Sequence, residues 1–103
     1  MDFEILIEHK AEEEILRCID YYNNIRNELG WEFLTELNYN FHYLSQYPYA
    51  NSLSYKSLRK LCLKRFPFIV YYSIEGNAIH IEAVFDCRRG PDTLSHFISA
   101  DLK

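Results

Sequence analysis

Six cations in the second half of the chain are the side chains best suited to chemistry: Arg59, Lys60, Lys64, Arg65, Arg88 and Arg89. An arginine's planar fork donates two parallel hydrogen bonds to a phosphate or carboxylate, and a lysine offers a mobile point charge. Proton transfer at a bound phosphate would also need an acid or base. Asp86 stands nearest to the Arg88-Arg89 pair, but an unperturbed aspartic acid titrates at about 3.9 and adjacent cations lower that further. His80 and His96 are the remaining proton carriers, and a lone histidine is more often structural. The residues therefore offer a set for binding an anionic partner, without an assembled catalytic set. Each cation also has an ordinary reading as surface charge, since lysines commonly protect solvent-facing or edge strands.

The elements that must position these residues follow from periodicity. Phe3, Ile5 and Ile7 alternate with charged neighbours, which predicts an edge strand. From Lys10 the period lengthens: Ala11, Ile15, Cys18, Ile19, Tyr22 and Ile25 share one side of a helix. Glu12, Glu13 and Glu14 form its solvated, dipole-complementing start, and Gly30 is its expected stop. A second helix is expected from about Trp31 to Tyr47 with Phe33, Leu34, Leu37, Phe41 and Leu44 inward, giving an αα-hairpin. Pro48 ends it. Residues 49–57 read as a polar loop and as the segment best placed to move.

Three strands are expected next, over 58–64, 68–74 and 78–87, with Glu75-Gly76-Asn77 as a hairpin turn. Strand alternation places Lys60, Cys62 and Lys64 on one face of the first, and Arg59, Leu61 and Leu63 on the other. If the leucines lie beneath the helices, Lys60 and Lys64 point to the open face. Arg59 then sits at the core rim, in an ion pair with an acid such as Glu82 or in contact with a target. In the last strand Ile79, Ile81, Ala83 and Phe85 are expected to face one way, and His80, Glu82, Val84 and Asp86 the other. A short final helix is expected after Asp92 or Thr93. The fold class is thus α+β in two layers: an N-terminal strand and an αα-hairpin on one face of an antiparallel sheet.

The bulk properties fit one domain spanning residues 1–103. No apolar run reaches the roughly 20 residues of a membrane helix, and the first residues lack a basic leader, so a cytoplasmic location is expected. Cys18, Cys62 and Cys87 are odd in number and far apart, which predicts neither a disulfide framework nor a zinc site; no metal or other cofactor is expected. Formal net charge is −4, yet residues 1–50 hold ten acidic and three basic side chains, and residues 51–103 hold five and eight. Such asymmetry raises the prospect that one face meets an anionic partner.

The order strand, helix, helix, strand, strand, strand resembles the RelE/ParE superfamily of bacterial type II toxins. Local matches are Ala11 at the first helix, Tyr21-Tyr22 near its end, Gly30 and Phe33 at the second helix, and Pro48 after it. Arg59 with Phe66-Pro67-Phe68 and Tyr71-Tyr72 matches the central run, and Arg89 and Pro91 match the closing pattern. Two positions depart from it: Asp86 stands where many members carry histidine, and Leu94 where many carry tryptophan. The basic pI common among the ribosome-dependent RNases of the family is also missing, at about 5.5 here. The resemblance implies a toxin of the ParE branch, associated with plasmid stabilisation, that binds DNA gyrase and is neutralised by a cognate antitoxin. Its target-binding candidates are Arg88, Arg89, Arg59, Lys60, Lys64, Arg65 and Asp86. The alternatives are a RelE-like, metal-independent mRNA endonuclease acting on the ribosome, and a non-toxic member that only binds its antitoxin. A homodimer or a toxin–antitoxin hetero-oligomer is the expected assembly, with no membrane partner.

Overall fold

A computed structural model describes residues 2–87, and the expected final helix lies outside them. The elements run β1 (Glu4–Ile7), α1 (His9–Ile25), α2 (Leu29–Gln46), β2 (Leu53–Tyr55), β3 (Leu58–Cys62), β4 (Phe68–Glu75) and β5 (Ala78–Asp86). The strands form one sheet in the order β1-β5-β4-β3-β2. The two-layer α+β expectation is met, with one correction: the sheet is mixed. β1 runs parallel to β5, with Ile5 opposite Ile79, while every other pairing is antiparallel.

The helices bury their predicted stripes against one face of this sheet, except Ile25, the last residue of α1, which is exposed. Ala11, Ile15, Cys18, Ile19 and Tyr22 of α1 join Phe33, Leu37, Phe41 and Leu44 of α2 over Leu61, Val70, Tyr72, Ile79, Ile81 and Val84. Each fully buried large side chain contributes about 1.5–3 kcal/mol relative to exposure. At one end four rings pack edge to face or tilted: Tyr22 to Phe66 at 5.0 Å, Phe33 to Phe66 and to Phe68 at 5.4 Å, and Tyr22 to Phe33 at 5.7 Å. This cluster is what the Phe66-Pro67-Phe68 run builds.

Gly30 does not stop α1. The helix ends at Ile25, and Gly30 is the second residue of α2, at the point where the two helices meet. A Cβ there would run into the Ile19 carbonyl oxygen and the Asn23 side chain. The Gly30 amide donates to Asn23 Oδ1 at 2.7 Å, so a side chain of α1 satisfies an open N–H at the start of α2. Glu14 also departs from the expected solvated start: it is buried and accepts from Arg17 at 2.7 Å.

The last strand corrects the expected alternation. Tyr71 pairs with Ala83 but Tyr72 with Ile81, so Glu82 is an extra residue in β5. A bulge of this kind places two successive residues on one side. Ile79, Ile81 and Val84 consequently face the helices, while Ala83 and Phe85 join Leu58 and Tyr71 in a second buried cluster on the opposite face. The Gly76-Asn77 hairpin forms as expected, with Gly76 at φ +60°, as in a type II′ turn.

Candidate functional site

The expected polar loop contains β2, and its first half is tied down. The Tyr72 hydroxyl, inside the core, donates to the Pro48 carbonyl at 2.9 Å and accepts from the Asn51 amide at 3.3 Å. Arg59 Nη1 donates to the Asn51 carbonyl at 2.6 Å, and its guanidinium lies 5.2 Å from the Tyr49 ring centroid. Glu82, the expected partner of Arg59, instead accepts from Ser73 Oγ at 2.8 Å. Arg59 thus holds the loop that follows α2, on the helix side of the sheet.

Arg65 also lies on the helix side. Its guanidinium pairs with Glu32 of α2 and sits 5.3 Å from the Phe66 ring centroid. Arg26 shares the same carboxylate at 3.2 Å. Hydrogen bonds from Arg26 and then Arg65 hold the Glu32 carboxyl below its ordinary value. The amides of Lys64 and Arg65 both donate to Glu36 Oε2, at 2.9 and 3.2 Å. The expectation that the cations gather on one exposed face is therefore corrected. Strand alternation was read correctly for Lys60 and Arg59, but Arg65 falls after β3, where the chain turns toward α2.

Lys60 is the candidate cation that β3 places on the open face. There it faces Tyr71 across to β4, with Cys62 and Cys87 following toward one end of the sheet. Burial pushes the Cys87 thiol up, Cys62 and Asp86 add to the shift, and Lys60 opposes it. Burial likewise pushes the Tyr71 phenol up, with Cys62 and Cys87 adding. A thiol held neutral is a poor nucleophile, so this end is not an activated-cysteine site. The sequence placed Cys62 on the face of Lys60 but did not bring Cys87 beside it, because that proximity depends on how β3, β4 and β5 align. Arg88 and Arg89 lie outside the described residues.

The open face also carries acidic side chains. His80 Nδ1 lies 3.2 Å from Glu8 Oε2, and its Nε2 lies 3.6 Å from Glu75 Oε1. Ser57, Ser73 and Glu82 complete a shallow depression of about 400 Å³. His80 is flanked by the Glu8 and Glu75 carboxylates; it pairs with Ser73 of β4, two residues along from Tyr71, which Lys60 faces from β3. A phosphate-cleaving site needs cations beside its proton carrier, and the charged partners of His80 among the described residues are carboxylates. No group of three metal-ligating side chains occurs among the described residues, and no helix among them is long and apolar enough to cross a membrane.

No protein-family model matches the sequence, and no curated protein does. A solved chain from the chromosomal ParDE toxin–antitoxin system from P. aeruginosa matches in three dimensions. The TM-score is 0.73 over 82% of this chain and 95% of that one, at 20% sequence identity. The two chains share a fold. At that identity the likeness extends to the path of the backbone: the helical hairpin on one face of the sheet and the order of the strands. Within this fold the central motif residues divide their work. Phe66, Phe68 and Tyr72 build the core, and Arg59 and Tyr72 anchor the loop after α2.

Proposed function

We propose that this chain is the toxin of a bacterial type II toxin–antitoxin pair, of the ParE kind, which acts by binding its target and is held inactive by a cognate antitoxin. DNA gyrase is the target implied by the sequence resemblance. The observation that carries the reading is the shared fold with a chain of a ParDE system over 82% of this chain and 95% of that one. The carboxylates beside His80 favour binding over RNA cleavage, because a proton carrier between Glu8 and Glu75 is badly placed to serve a phosphate. Lys60 and Lys64, with Arg88 and Arg89 from the segment after β5, are the cations offered to the target. Arg59 and Arg65 act by positioning.

Purified protein added to a gyrase supercoiling assay should inhibit supercoiling, and a translating extract treated in parallel should keep its mRNA intact. Codon-positioned cleavage in the extract would replace this reading with the endonuclease one. Absence of growth arrest on expression without a partner would remove both and leave an antitoxin-binding protein without toxicity. Arg89→Ala should relieve arrest while the protein stays folded by circular dichroism.

A further inference from the structure

The outer edge of β3 is only half covered. β2 pairs with it at Leu58 and Arg59, and among the described residues no strand lies alongside it beyond Arg59. The Leu63 amide donates inward to the Phe68 carbonyl. Hydrogen-bonding directions alternate along a strand, so the Cys62 amide and carbonyl face outward. The next outward amide, that of Lys64, is met by Glu36 Oε2 at 2.9 Å. A carboxylate from α2 therefore occupies the position where a neighbouring strand would offer a carbonyl. Its other oxygen, Glu36 Oε1, is buried and has no hydrogen-bond partner. A buried acceptor without a donor costs about 1–3 kcal/mol and calls for a reason.

Both features open into one cleft of about 450 Å³ between α2 and β3. Leu61 forms its floor. Tyr39 and Tyr43, one helical turn apart and both exposed, stand along the α2 wall. Asn51 closes one end, and Glu36 with Lys64 the other. The free length of edge, Lys60 to Leu63, spans about 10 Å at the rise of a strand.

We propose that this cleft receives an extended segment of a protein partner, three to four residues that add as a strand to the free edge of β3 and carry an arginine reaching Glu36 Oε1. The backbone of such a segment supplies what the Cys62 amide and carbonyl lack. An arginine supplies the donor that Glu36 Oε1 lacks, and its flat guanidinium stacks on tyrosine rings in a way a lysine ammonium does not. The long, exposed Lys64 side chain swings into solvent as the segment seats. This holds whether or not the chain arrests growth.

The test uses the whole chain, isotopically labelled for NMR, and a capped tripeptide, acetyl-Val-Arg-Val-amide. Binding should shift the amides of residues 36–43 and 60–64 saturably and slow hydrogen exchange at Cys62. Replacing the arginine by citrulline, which keeps its shape but not its charge, should weaken affinity about tenfold, since a charge-assisted bond becomes neutral. Methylating every peptide nitrogen should abolish binding. Glu36→Gln keeps a carbonyl oxygen for the Lys64 and Arg65 amides, and should weaken binding by a similar factor with the amide spectrum otherwise unchanged. No saturable shift at these residues at millimolar peptide would overturn the proposal. So would undiminished binding of the citrulline or the methylated peptide, both measured on the unaltered protein.

Discussion

Single side chains decide how this fold is fastened. Tyr72 carries a hydroxyl into the core only because Pro48 and Asn51 are there to meet it. Tyr72→Phe should lower unfolding free energy by about 1–2 kcal/mol in urea, the cost of leaving the Pro48 carbonyl unpaired. Hydrogen exchange at residues 48–52 should quicken by more than the global loss explains. Gly30→Ala drives a methyl group into the Ile19 carbonyl and should cost about 1–3 kcal/mol by overpacking. The opposite sign is expected at Glu28, which holds φ at +68° beside the start of α2. Glu28→Gly relieves that strain and should raise the melting temperature. Residue-scale roles were poorly legible in the sequence. Arg59 looked like a contact for an anion or the partner of an acid. Its partner is a backbone carbonyl, and backbone oxygens leave no trace in residue types.

At the scale of elements the sequence was far more readable. The stripes Ala11-Ile15-Cys18-Ile19-Tyr22 and Phe33-Leu37-Phe41-Leu44 mark both helices, because a 3.6-residue period survives any tertiary detail. β2 was missed because Leu-Ser-Tyr is too short to show alternation. The β5 bulge was missed because Ile81, Ala83, Val84 and Phe85 are all apolar, so a slip in phase leaves the pattern unbroken. It makes a prediction of its own. Deleting Glu82 restores strict alternation with Ile81 and Val84 still inward, so the variant should fold with a dispersed NMR spectrum. Deleting Val84 instead removes a core residue and should unfold the chain.

The ties between elements are also charge-dependent. Glu32 is acidified by Arg26 and Arg65 in the folded state. Its contribution to stability is present above the ordinary glutamate value of 4.5 and is lost as pH falls through the lower folded value. Thermal unfolding of Glu32→Gln should therefore match the parent more closely below that pH than at neutrality.

For the whole molecule, charge segregation in the sequence gave the right impression of asymmetry and the wrong geography. Among the described residues the basic second half does not become a basic face. Arg65 is turned back to neutralise Glu32 of the acidic first half, and the open side of the sheet carries both Lys60 and the carboxylates Glu8, Glu75 and Glu82. A target engaging this side should therefore bind with weak salt dependence, because opposed charges offer little net field for screening to remove. Affinity for the proposed target measured between low and physiological salt checks this; a steep loss would point to the arginines after β5 as the dominant contact.

The mixed sheet has a consequence for how the protein comes into being. β1 pairs with β5, so residue 4 must wait for residue 78 before its backbone bonds can close. During synthesis the helical hairpin emerges early, with its greasy underside bare and the strand it should cover still unmade. Nascent chains cut short before β5 lack Ile79, Ile81 and Val84 from the core, and are candidates for chaperone capture or degradation. A ribosome that stalls before β5 would thus release a polypeptide without its native architecture, and the fold would close only once that strand has been made.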